Sequence, residues 1–142
     1  MRIDRIETFV LKAPLGAERF YWSQNCATER ASLLVRISTD SGLVGWGEAG
    51  VSMPVEHAAA YIHDIAASRV LGRNALETEP LWHELYAYSR DYGRKSTPID
   101  ALSGIDIALW DIRGKEAGRP VYALMGGAFR DTVRSYATGL YY

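Results

Sequence analysis

The feature that most limits the fold of this chain is one long apolar helix with no polar face wide enough to lie at a surface. Across 97–117, Ile99, Leu102, Ile105, Leu109, Trp110 and Ile112 spread over more than half the circumference at about 100° per residue. Such a helix must be covered, so the chain needs a sheet or several helices packed around it. Its ends are marked. Thr97-Pro98-Ile99-Asp100 combines a capping-box spacing, with Asp for the usual Glu, and Pro at the first helical position. Gly118 and Pro120 stop it. Asp111 and Lys115 stand at i,i+4 on the polar side, where they can pair. Asp106 falls inside the apolar arc; an unpaired buried charge is costly, so a partner is expected.

The elements that cover this helix come first in the chain. Segment 3–11 reads as a strand, with Ile3, Phe9 and Leu11 on one parity and Ile6 and Val10 on the other. Segment 32–39 alternates Leu33, Val35 and Ile37 against Arg36 and Ser38. Asp40-Ser41-Gly42 supplies a turn, Asp bonding its own backbone two residues on and Gly taking positive φ. Segment 43–49 returns as the hairpin partner. Gly45 and Gly47 share a parity there, so a helix or another backbone is expected close against that bare face. Between the first two strands, 13–30 shows no periodicity and reads as a loop long enough to be functional. Its Phe20-Tyr21-Trp22 is too aromatic for a disordered linker.

Helices follow. Ser52 and Pro54 give a cap-like start to a helix bearing Val55, Ala58, Ala59, Ile62 and Ile65 and running to Gly72. Pro80 opens a second with Leu81, Leu85 and Tyr88, capped by Thr78 or Glu79. The fold class is therefore α+β: a three-stranded antiparallel meander followed by a helical bundle. Segment 133–142 is strand-like with nothing obvious to pair with, and the chain looks cut.

Composition excludes several functions. The 142 residues suit one domain, burying roughly two-thirds of the unfolded surface. Sixteen Lys and Arg against seventeen Asp and Glu, with no basic block, argue against nucleic acid. No apolar run approaches the roughly 18 residues of a transmembrane helix, and the N-terminus has no signal-peptide core. Cys26 is the one cysteine, so no internal disulfide is possible and the cytoplasm is expected. His57, His63 and His83 are out of metal-ligand register. Gly126-Gly127 lacks a phosphate-loop pattern, and no carboxylates are placed as a glycosidase pair. Glu48 reads as a structural group fixing the loop after it through backbone bonds, and Asp106 as a satisfied structural carboxylate. No catalytic residue and no metal ligand is expected in the chain.

Gly45-Trp46-Gly47-Glu48-Ala49, then 105–115 (IDIALWDIRGK), then Gly118-Arg119-Pro120-Val121-Tyr122 and Leu124-Met125-Gly126-Gly127 stand in a telling order. Together they resemble the N-terminal capping domain of the enolase superfamily, in its mandelate racemase/muconate lactonizing enzyme branch. The resemblance implies a capping domain over 1–126 and, over 127–142, a connection and the first strand of an absent (β/α)7β barrel. That barrel would need about 200 further residues. It also implies Mg²⁺-assisted abstraction of the proton α to a carboxylate, with every base and metal ligand on the barrel. The expected reaction is dehydration or racemisation of a hydroxy- or sugar-acid by a homo-oligomeric enzyme, the fragment itself being inactive. A cycloisomerase, a dipeptide epimerase and a stand-alone binding module are the alternatives.

By the same resemblance, the capping domain closes over the barrel mouth through loops at 15–28 and 50–55. Tyr21 and Trp22 each offer a flat apolar body with one polar group, for substrate contact or for plugging the domain interface. Arg19 could meet a second anionic group. Val51 and Met53 line the pocket or form a hydrophobic staple at the helix start. Thr138, at the end of the first barrel strand, could bond a substrate carboxylate or hydroxyl.

Overall fold

Alternation in the first part of the chain builds one antiparallel sheet. β1 (Ile3–Pro14) leads through a small hairpin, β2 (Phe20–Trp22) and β3 (Asn25–Ala27), into β4 (Glu29–Thr39). A tight turn then returns the chain as β5 (Val44–Ala49), and the sheet order is β1-β4-β5. This computed structural model describes residues 1–137 apart from 18, 23–24, 51–53, 92 and 94; of Phe20, Trp22 and Asn25 it describes the backbone. At the turn, Thr39 N–H donates to Leu43 O at 3.0 Å and Gly42 takes φ 85°. Asp40 does not bond its own turn as expected. Its Oδ1 accepts from Arg2 N–H at 2.8 Å and pins the start of β1.

The parity reading of β1 needs correction. A register shift between Ile3 and Arg5 brings both Ile3 and Ile6 into the core, while Phe9 and Leu11 face outward. One residue inserted into a strand moves every later side chain to the opposite face. From Ile6 onward, the side of β1 facing the helices therefore carries Ile6, Thr8, Val10 and Lys12, paired with Ile37, Val35, Leu33 and Ala31.

The helical layer starts with α1 (Val55–Tyr61), a π-helical turn (Ile62–Ala66) and α2 (Ala67–Val70), which follow without a break. Then come α3 (Thr78–Ser89), α4 (Thr97–Ala117) and the single turn α5 (Val121–Leu124). The expected side-chain caps on α3 and α4 are not formed: Glu77 and Ser96 hold the cap positions, without side-chain bonds. Thr78 is instead buried inside α3, its hydroxyl accepting from Arg113 Nη1 at 3.0 Å. The other end of α4 obeys the sequence. Gly118 is left-handed at φ 58°, and Arg119 N–H closes on Gly114 O at 3.0 Å.

α4 lies against the sheet through Ile105, Ala108, Leu109 and Ile112, all at most 1% exposed, with Leu33, Val35 and Ile37 beneath. Burial of each such Leu, Ile or Val contributes about 1.5–3 kcal/mol. The close approach inferred from the glycines is present: a Cβ on Gly45 would strike Ala108 O, and one on Gly47 would strike Gly104 O. Beyond α5, residues 132–137 have no regular structure and no strand pairing, with Val133 76% and Tyr136 89% exposed. A strand needs a neighbour to take its backbone hydrogen bonds. Residues 138–142 lie outside those described.

Candidate functional site

The loop expected at 13–30 is mostly strand. β1 and β4 run on past the sheet as a two-stranded arm, pairing Lys12 with Ala31 and Pro14 with Glu29. Leu15 N–H donates to Thr28 O at 2.9 Å and closes the stem. Beyond it β2 and β3 form a second, two-stranded sheet in which Tyr21 faces Cys26 and Trp22 faces Asn25 in register. Tyr21 is 47% exposed and Arg19 is exposed, so the tip offers an aromatic ring and a cation to whatever approaches. Strands of three residues are too short to show alternation, which is why the hairpin was invisible in the sequence. Of the other expected contacts, Val51, Met53 and Thr138 lie outside the described residues.

An ion-pair bridge spans the root of this arm. Lys12 Nζ sits 2.6 Å from Glu56 Oε1 and 3.1 Å from Glu29 Oε1. Glu56 is in the first turn of α1, and Glu29 opens β4 at the stem of the hairpin. The hydrogen bond to Glu56, then that to Glu29, holds the Lys12 ammonium above its ordinary pKa. The same bond to Lys12, ahead of a backbone hydrogen bond, holds the Glu56 carboxyl below its own. Four residues back on the same face, Thr8 Oγ1 lies 2.7 Å from His63 Nε2 in the π-helical turn. The helix-facing row through Thr8 and Lys12 was the available signal, and the register shift near Ile3 concealed it.

At the opposite edge of the sheet, α4 caps the open side of β5. Trp46 N–H donates to Asp111 Oδ2 at 2.9 Å, Lys115 Nζ bonds the same oxygen at 2.6 Å, and Lys115 also donates to Val44 O at 2.8 Å. The expected Asp111–Lys115 pair therefore also answers an edge strand's unpaired backbone groups. Glu48 serves a different partner from the one expected. Its Oε1 accepts from Ser32 Oγ at 2.6 Å on the outer face of the sheet.

Asp106 lies in a groove of about 520 Å³ between β5 and α4, lined by Trp46, Ile107, Trp110, Val121 and Met125. It has no hydrogen bond or ion pair among the described residues, contrary to expectation, because its side chain is half-buried and reaches the groove rather than the closed core. Burial, and then the nearby negative charge of Glu79, push its carboxyl above the ordinary pKa. Among the described residues no three His, Cys, Asp or Glu side chains gather in a way that could hold a metal ion. This part of the chain does not fit the Mg²⁺ that the resemblance implies, and no step is assigned to a metal here. No helix among the described residues is long and apolar enough to cross a membrane.

Comparison with known proteins places this architecture. Residues 5–126 match a family model described as mandelate racemase / muconate lactonizing enzyme, N-terminal domain. The chain is 39% identical over 140 residues to the D-galactarolactone cycloisomerase of Agrobacterium fabrum, covering 98% of this chain and 36% of the relative. It is 38% identical over 104 residues to a D-galactonate dehydratase of Xanthomonas euvesicatoria, covering 73% and 27%. Among solved structures, the 3,6-anhydro-D-galactonate cycloisomerase of Zobellia galactanivorans superposes with a TM-score of 0.85 at 36% identity. That match covers 99% of this chain and 36% of that one. The chain thus spans about a third of the length of these relatives or less.

Proposed function

The chain belongs to the mandelate racemase/muconate lactonizing enzyme N-terminal domain family, and from that premise we propose that it caps the barrel of a longer enzyme acting on a hydroxylated or sugar-derived carboxylate. The observation that carries this reading is the run of bare apolar side chains after α4. Tyr122, Met125, Phe129, Val133 and Tyr136 are all exposed, Phe129 almost completely. A stand-alone binding module would close such a surface; a capping domain leaves it for a second domain to cover.

In this reading the chemistry is removal of the proton α to a carboxylate, followed by loss of a hydroxyl or by reprotonation. A divalent metal, which residues outside this chain would hold, would supply charge stabilisation to the substrate carboxylate. This chain contributes no base. Its hairpin covers the site, excludes water and touches the far end of the substrate through Tyr21, Trp22 and Arg19. Val51 and Met53, before α1, and Thr138 complete those contacts. Glu48 and Asp111, engaged with Ser32 and with Trp46 and Lys115, are structural. The enzyme is a homo-oligomer of the cytoplasm, an assignment resting on the resemblance and the single cysteine.

A specific observation favours cycloisomerisation as the second reading. Two relatives that align over nearly the whole chain carry cycloisomerase names. Both readings keep a sugar-derived acid as substrate and leave the roles of the hairpin unchanged.

The test is steady-state kinetics of the complete enzyme with Mg²⁺ on galactonate, its stereoisomers and the corresponding lactones. Turnover of at least one is expected, with Tyr21→Ala raising KM about tenfold and moving kcat far less, as loss of uniform substrate binding requires. Failure to turn over any hydroxylated acid or lactone would overturn the substrate class. An unchanged KM in Arg19, Tyr21 and Trp22 variants would overturn the role of the hairpin.

A further inference from the structure

Much of the arm that carries Tyr21 is exposed. From Phe9 to Pro14 every residue of β1 is exposed, and so are Glu29 and Arg30 at the start of β4. A two-stranded ribbon is marginal in water without a layer packed against it. Ala31, the register partner of Lys12, still packs against the core. Lys12 thus stands at the point where the arm leaves the body of the domain. Its ammonium there joins both sides of the gap, Glu29 at the stem and Glu56 on α1.

We propose that Lys12 is a positioning residue: by bridging Glu29 and Glu56 it fixes the β2–β3 hairpin relative to the first turn of α1, and so sets where Tyr21 stands. The compact ammonium with three donors suits two carboxylates approaching from different elements. Thr8 and His63 tie the same strand to the helical layer closer to the core, so the hinge of the arm lies between these two attachments. For its consequence in catalysis, though not for the bridge itself, the inference rests on the proposed contact between Tyr21 and substrate.

Hydrogen exchange on the 142-residue chain tests the bridge. Lys12→Met is expected to raise exchange severalfold across 15–28 and leave Thr97–Ala117 unchanged, while Lys12→Arg restores the original rates. Because all three side chains are exposed, high salt should loosen the original hairpin and have little effect on Lys12→Met. Glu56→Gln should reproduce part of the loosening and add less than its own effect in the double variant. Unchanged exchange at 15–28 in Lys12→Met would overturn the proposal, as would an equal rise throughout α4, which marks general destabilisation. Kinetics of the complete enzyme separate the two readings. A looser hairpin with raised KM and nearly unchanged kcat supports both; a looser hairpin with unchanged KM supports the bridge and overturns the role given to Tyr21.

Discussion

Gly47 of β5 lies directly under the main-chain carbonyl of Gly104 on α4, so close that a Cβ on either residue would enter the backbone of the other element or the Val35 side chain. That contact, repeated at Gly45 against Ala108, lets the buried helix settle on the edge strand of the sheet. Gly47→Ala should therefore destabilise the fold by about 1–3 kcal/mol, the usual cost of overpacking, because neither helical carbonyl nor strand can yield without losing hydrogen bonds. Urea unfolding should show a lower midpoint with an unchanged slope. A midpoint equal to that of the original chain would contradict the packing described.

Asp111 closes the same edge electrostatically. Removing its carboxylate in Asp111→Ala frees Trp46 N–H and leaves Lys115 Nζ with Val44 O. A loss of about 0.5–1.5 kcal/mol is expected for the backbone bond, at the low end because the site is partly exposed. The uncovered strand should also raise self-association, visible by light scattering at high protein concentration. Lys115→Met should have the smaller effect, since it leaves the Trp46 bond in place.

Asp106 gives a pH signature. Its folded-state pKa is raised above the ordinary 3.8, first by burial and then by Glu79. The folded state thus favours the protonated carboxyl, and that contribution is full below the unfolded pKa and lost as pH rises through the folded one. Asp106→Asn should accordingly stabilise the chain near neutral pH, with an advantage that shrinks to nothing on acidification below 3.8. Unfolding midpoints at neutral and acid pH check this. A variant less stable than the original at neutral pH would show that Asp106 has a partner after all.

How far the sequence led can be traced through these residues. The parity of Gly45 and Gly47 announced a close backbone approach, and the apolar arc of 97–117 announced a buried helix; both follow from periodicity that survives folding. The start of β1 misled because a bulge is one residue of backbone geometry and leaves no mark in hydrophobic spacing. Asp106 was correctly placed on the helix, but a helical wheel gives an angle and not the place where the neighbouring layer ends. Lys12 was invisible as a bridge because its partners are remote in sequence and meet only when β1, β4 and the first turn of α1 come together. Of the proposed substrate contacts, Tyr21 and Arg19 were legible as an aromatic ring and a cation in an aperiodic segment, and the structure leaves both exposed.

The most direct test of the account concerns where the chemistry resides. The purified 142-residue chain, in deuterated water with Mg²⁺ and a sugar acid that the complete enzyme accepts, should show no exchange of the α-proton by NMR beyond the uncatalysed rate. The complete enzyme should exchange or consume the same compound readily. Exchange catalysed by the 142-residue chain alone would place a base within it and contradict the central claim.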